Sequence, residues 1–153
     1  MEMSSERLIE APPAEVWNAL NDLQVLQGCI TGCESIEETG PNQYDVAMKV
    51  KIGPVNAKLK GQLSLEDIQA PTGYTIRFEG QGGVAGFAKG SASVRLEPQE
   101  DQNQTLLCYD ASAQVGGKLA QLGSRLIDSA AKKMADDFFS KFTALFSVDT
   151  EKA

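Results

Sequence analysis

Between residues 4 and 146 the spacing of apolar side chains changes period three times. Ser5 to Glu10 reads as a short strand, ended by Ala11-Pro12-Pro13. Pro13 suits the first turn of a helix, Glu15 sits near its positive end, and Val16, Trp17 and Leu20 give it an apolar face. Asp22 can cap a second short helix carrying Leu23, Val25 and Leu26, with Gly28 placed to close it. Alternation then takes over. Tyr44, Val46, Met48, Val50 and Ile52 point one way, and Asp45, Ala47, Lys49 and Lys51 the other. After a Gly53-Pro54 turn, Ala57, Leu59, Gly61, Leu63 and Leu65 repeat the pattern, as do Tyr74, Ile76 and Phe78 after Pro71-Thr72-Gly73. Ala88 to Leu96 and Thr105 to Val115 supply two further strands.

At Gly116-Gly117 the period switches again. Leu119, Leu122, Leu126, Ala130, Met134, Phe138, Phe142 and Leu145 follow steps of three or four. This predicts one amphipathic helix of roughly 30 residues, about 45 Å long. The order is strand, two short helices, six or so strands and a long helix. Short turns between alternating strands make an antiparallel meander with one dry face, which the helix must cover. The fold class is α+β: a curved antiparallel sheet wrapped around a C-terminal helix, in a single domain over 1–146 with a polar tail at 147–153.

Composition narrows the chemistry. The 153 residues, 42% hydrophobic, are enough to fill one core. Fourteen Lys+Arg against 21 Asp+Glu leave a net charge of −7, which opposes phosphate backbones and anionic lipid. Lys49, Lys51, Lys58 and Lys60 form a local basic patch on two neighbouring strands, suited to an acidic partner. The absence of histidine removes Ser-His-Asp and Cys-His nucleophile systems and every histidine metal site. The N-terminus has no basic n-region or apolar h-region, and the uncharged stretch around Val84 to Ala88 is too short to span a bilayer. A soluble, cytoplasmic chain is the expectation. Cys29, Cys33 and Cys108 are odd in number and read as free thiols, without the second pair a zinc site needs.

Gly80-Gln81-Gly82-Gly83-Val84-Ala85 formally matches a dinucleotide-binding fingerprint, but a strand pattern follows it where a helix is required. A flexible hairpin lip is the better reading. Most carboxylates fall on wet positions, and Asp110 faces away from Tyr109. On the dry side, large sheet residues confront a helix whose middle carries Gly123, Ser124, Ser129, Ala130 and Ala131. Small against large means close packing or an unfilled apolar cavity, and periodicity alone leaves both open.

Cys29-Ile30-Thr31-Gly32-Cys33-Glu34 resembles a C-[IL]-P-G-C-[EQ] segment of the G-subunit family of carbon monoxide dehydrogenase. Ile52-Gly53-Pro54-Val55 with Lys60-Gly61, Gly86-Phe87-Ala88-Lys89-Gly90, Gly117 to Ser124, and Phe138-Phe139 resemble its later motifs. The likeness runs from about Arg7 to Phe146. It implies a START-like helix-grip fold with a cavity between sheet and helix. It further implies a non-catalytic accessory of a molybdenum-containing carbon monoxide dehydrogenase or related hydroxylase, linked to a respiratory quinone and to membrane recruitment. Thr31 stands where that family has proline, and no membrane-binding extension is expected.

Together these readings place the ligand among Met48, Val50, Leu59, Leu63, Phe78, Phe87, Leu119, Leu122, Leu126 and Ile127, with Phe87 placed by the loop resemblance. Gly123 and the lip from Gly80 to Gly90 would admit it. The expected partners are a hydrophobic, quinone-like small molecule and the hydroxylase complex. No metal or further cofactor, no nucleic acid and at most peripheral membrane contact, at the inner face through a partner, are expected. Two alternatives remain. One is a START-like enzyme acting on a hydrophobic ring, for which Tyr44, Tyr74, Tyr109 and serines are the polar candidates. The other is an assembly or recruitment factor without a ligand.

Overall fold

The computed structural model describes residues 1–101 and 103–146; the expected tail at 147–153 lies outside them. Its elements are β1 (Glu2–Ile9), α1 (Pro13–Leu20), α2 (Leu23–Cys29), β2 (Cys33–Gly40), β3 (Gln43–Ile52), β4 (Val55–Gln69) and β5 (Gly73–Gln81). They continue with β6 (Phe87–Pro98), β7 (Thr105–Gly116), α3 (Lys118–Gln121) and α4 (Ser124–Ala144). All seven strands form one antiparallel sheet in the order β1-β7-β6-β5-β4-β3-β2. The topology follows from the helices. The chain leaves one edge after β1, crosses through α1 and α2, re-enters at the opposite edge as β2, and meanders back until β7 pairs with β1.

Local chemistry sets the element ends. Pro13 opens α1, which buries Val16 and Leu20. The Asp22 carboxylate accepts from the backbone N–H of Gln24 at 2.9 Å and Val25 at 3.4 Å, capping α2. That helix runs through Gly28 to Cys29 before the chain turns extended at Ile30. Alternation does not reveal β2, because Ile36 is its one buried side chain and the rest of its apolar face is missing. Edge pairing to β3, not burial, makes it a strand.

The long helix is interrupted. α3 is a single turn, and Gly123 then takes φ +87° and ψ 154°, so α4 starts afresh and runs 21 residues instead of roughly 30. That backbone region is essentially closed to residues with a Cβ, and the apolar spacing is blind to it.

Two apolar clusters hold the domain. The larger joins Ile9, Val16, Leu20, Leu96, Leu107 and Phe142 beneath α1 and the second half of α4. The smaller packs Ala57, Leu59, Ala85 and Leu119 at the hairpin end. On β1, Arg7 reaches inward to Asp136 at 2.6 Å and lies 5.0 Å from the centroid of the Phe139 ring, tying α4 to the sheet edge. Among the described residues, no helix is long and apolar enough to cross a membrane.

Candidate functional site

Strand register aligns the inward side chains into rows. Leu65, Ile76, Ala92, Ala111 and Met3 face one another across five strands, and Tyr74, Val94 and Tyr109 form the next row. The centre of the first row carries only methyl groups. Opposite it, α4 presents Ala131 and Ala135, one turn apart on one face. Small residues on both layers cannot meet across the roughly 10 Å separating packed layers, so the space stays open. The result is a cavity of about 400 Å³ between sheet and helix. Leu20, Leu23, Leu26 and Ile30 wall it on the α1–α2 side, and Met134, Phe138 and Phe139 on the α4 side. Asn21 and Thr31 are the exposed lining residues and mark its mouth.

Among the described residues, no charged side chain lines this cavity. Beside Asn21 and Thr31, its polar groups are the hydroxyls of Tyr44, Tyr74 and Tyr109. Tyr74 is 6% exposed and its ring stands edge-on to Trp17, while Tyr109 stacks on Phe139 at 5.4 Å. Every fully occluded side-chain oxygen or nitrogen among the described residues has a hydrogen-bond partner. The Tyr74 and Tyr109 hydroxyls have no hydrogen-bond partner among the described residues, so neither is fully occluded, and both side chains line the cavity. Burial pushes the Tyr74 hydroxyl far above the ordinary tyrosine value, and nearby Tyr44 adds to it. Tyr44 is raised by burial and then by Glu38. Both remain protonated donors at neutral pH.

Of the eleven residues expected from sequence, Leu63 lines the cavity. Val50, Leu59, Leu119 and Leu122 pack instead in the smaller cluster. Met48 is half-buried opposite Leu59 on β4 and Cys33 on β2. The Phe87 ring covers Gly116 and the Phe78 ring covers Gly80. Ile127 is buried early in α4, whereas Leu126 is 43% exposed beside Gly53. Gly123 faces open space. Alternation identifies the inward face, but not the level along it: the void lies toward α1 and α2, away from the hairpin tips. The Gly80–Gly90 lip is a single 3-10 turn at Gly83–Ala85 leading into β6, with no helix for a phosphate, and none of it lines the cavity. Sequence reasoning misses the α1–α2 wall. Its signal is present in Leu23, Leu26 and Ile30 at steps of three and four, and in the matched alanines of β6 and β7.

The Cys29–Glu34 segment forms one lip of the mouth. Gly32 adopts φ +81°, a Cβ there would strike the Lys49 carbonyl, and the Gly32 carbonyl accepts from the Lys49 N–H at 2.8 Å. The three thiols are free. Burial raises the Cys29 thiol, partly offset by Lys141. Cys33 is raised by burial and donates to the Ser35 carbonyl at 3.6 Å. Burial and the carboxylates of Glu97 and Glu6 raise Cys108. Such thiols are poor nucleophiles. Among the described residues no group of three or more Cys, Asp or Glu is placed to hold a metal ion. Asp110 is exposed and accepts from Ser4. Outside, Lys49 stands directly opposite Lys58, and none of Lys49, Lys51, Lys58 and Lys60 forms an ion pair among the described residues.

A seven-stranded antiparallel sheet curved around a C-terminal helix, with an apolar cavity between them, defines the START-like helix-grip class. The CoxG family, that of the carbon monoxide dehydrogenase G-subunit, matches residues 6–146, and the chain belongs to it. No curated protein matches the chain. Among solved structures, a conserved protein from Geobacillus kaustophilus is 32% identical with a TM-score of 0.89, covering 96% of this chain and 95% of that one. A START superfamily protein from Mycobacterium smegmatis is 12% identical (TM-score 0.71; 95% and 96% covered). The Zhui aromatase/cyclase from Streptomyces sp. R1128 is 13% identical (TM-score 0.65; 95% and 93% covered). The last two share the fold.

Proposed function

We propose that this protein is a non-catalytic carrier of a hydrophobic, quinone-like molecule, accessory to a molybdenum-containing carbon monoxide dehydrogenase or a related hydroxylase. The observation that carries this reading is the apolar cavity. Its volume of about 400 Å³ falls in the range of roughly 300–1,000 Å³ usual for small-molecule sites. An apolar space of this size leaves its lining short of packing partners, which costs stability. A protein with no use for the space would fill it. Among the described residues the lining offers no carboxylate, amine or imidazole to move a proton at neutral pH, which favours carriage over turnover. Membership of the CoxG family supplies the partner class. The unpaired lysines on β3 and β4 suit an acidic surface on that partner.

Native mass spectrometry of the purified chain, before and after organic extraction, tests the proposal. Loss of a bound hydrophobic mass and its restoration by a short-chain quinone are expected. A chain that neither carries nor takes up any apolar ligand would leave an assembly factor as the reading.

A further inference from the structure

The cavity contains one feature that an apolar void does not need. Tyr74 is more than nine-tenths buried, its ring stands edge-on against Trp17, its side chain lines the cavity, and its hydroxyl, not fully occluded, has no partner among the described residues. Tyr109, two strands away in the same row, is buried to a similar degree, and its hydroxyl is equally unpartnered. A phenylalanine at either position would fill the same space. A hydroxyl that is not fully occluded and has no protein partner is free to donate to a group that enters the cavity. With no cation among the described lining residues, a carboxylate or phosphate headgroup finds no counter-charge there and favours water.

Resting on the carrier reading above, we infer that Tyr74, assisted by Tyr109, is the recognition element for the ligand. It donates to an uncharged oxygen acceptor on a flat ring, which enters first, leaving any hydrocarbon tail between Leu23, Leu26 and Ile30 toward the mouth. The carboxylate of a fatty acid is thereby kept from the inner end and gains nothing from Tyr74. The aromatic faces of Phe138 and Phe139 favour a ring over a flexible chain at the inner end.

Three probes test this by quenching of Trp17, the only tryptophan: menadione, 2-methylnaphthalene, which has the same ring without carbonyls, and dodecanoate. The parent protein should bind menadione at least tenfold more tightly than either of the others. Tyr74→Phe should abolish the preference over 2-methylnaphthalene while hydrocarbon affinity stays within about twofold, and Tyr109→Phe should reduce it. Melting curves establish that both variants fold. Equal binding of menadione and 2-methylnaphthalene, tight binding of dodecanoate, or an undiminished preference in folded Tyr74→Phe overturns the inference and leaves the carrier reading standing. Failure of all three probes to bind removes both.

Discussion

The indole of Trp17 on α1 stands edge-on to the phenol ring of Tyr74 on β5, with centroids 5.2 Å apart and planes at 83°. This contact joins the helical wall of the cavity to its sheet floor. The lone tryptophan therefore reports on events beside the Tyr74 hydroxyl, and its quenching complements melting curves as a readout of what each side chain does.

Ala111 occupies the centre of the methyl-lined row under α4. Ala111→Leu should fill part of the void, raising stability by about 0.5–2 kcal/mol and eliminating quinone quenching of Trp17. A mutant that loses about 1–3 kcal/mol yet binds as the parent does would show the site already packed.

The sequence reading sets Gly123 within one continuous helix and has it admit the ligand. It is instead the break before α4, at φ +87° and ψ 154°, and does not line the cavity. Gly123→Ala should destabilise the fold by about 1–3 kcal/mol through backbone strain. Ligand affinity, measured below the melting transition, should be unchanged. A parallel loss of affinity at full folding would return Gly123 to the site.

The raised Tyr74 value has a defined sign. Its folded pKa exceeds the unfolded one, so the folded state favours the neutral phenol. The associated stability is complete below about pH 10 and is lost as pH rises toward the folded value. Denaturant melts between pH 8 and 11 should show stability falling at the alkaline end, with a shallower fall for Tyr74→Phe. Identical slopes for the two proteins would contradict the assignment.

Lys49 and Lys58 are directly opposed on the outer face of β3 and β4. Lys58→Glu should convert repulsion into attraction and add about 0.2–1 kcal/mol, less at high salt. The same change should weaken binding to an acidic partner. A drop in melting temperature at low ionic strength would mean these lysines have compensating neighbours.

The inward faces are written in the chain itself. Period-two alternation in β3 to β7 and three-to-four spacing along Phe138 and Phe142 follow from side-chain geometry, so the sheet, its wet and dry sides and the helix that covers it are legible. The Asp22 cap and the proline start of α1 are legible for the same reason: they act within a few residues. The family resemblance over Arg7 to Phe146 rests on short motifs, and at least one of them, the glycine of Cys29–Glu34, records a close approach to Lys49 that needs the folded chain to be seen.

Where along the sheet the cavity lies is settled by assembly of the layers. Leu59 and Ile76 have the same alternation phase, yet Leu59 is packed against Leu119 and Ile76 faces the void. The difference is made by what stands opposite, which depends on strand register and on where Gly123 lets α4 begin. Ala92 and Ala111 become a cavity floor only because register sets them side by side beneath Ala131 and Ala135, which follow much later in the chain. Periodicity carries information about direction. Volume is a property of pairs of surfaces, and only the assembled layers fix it.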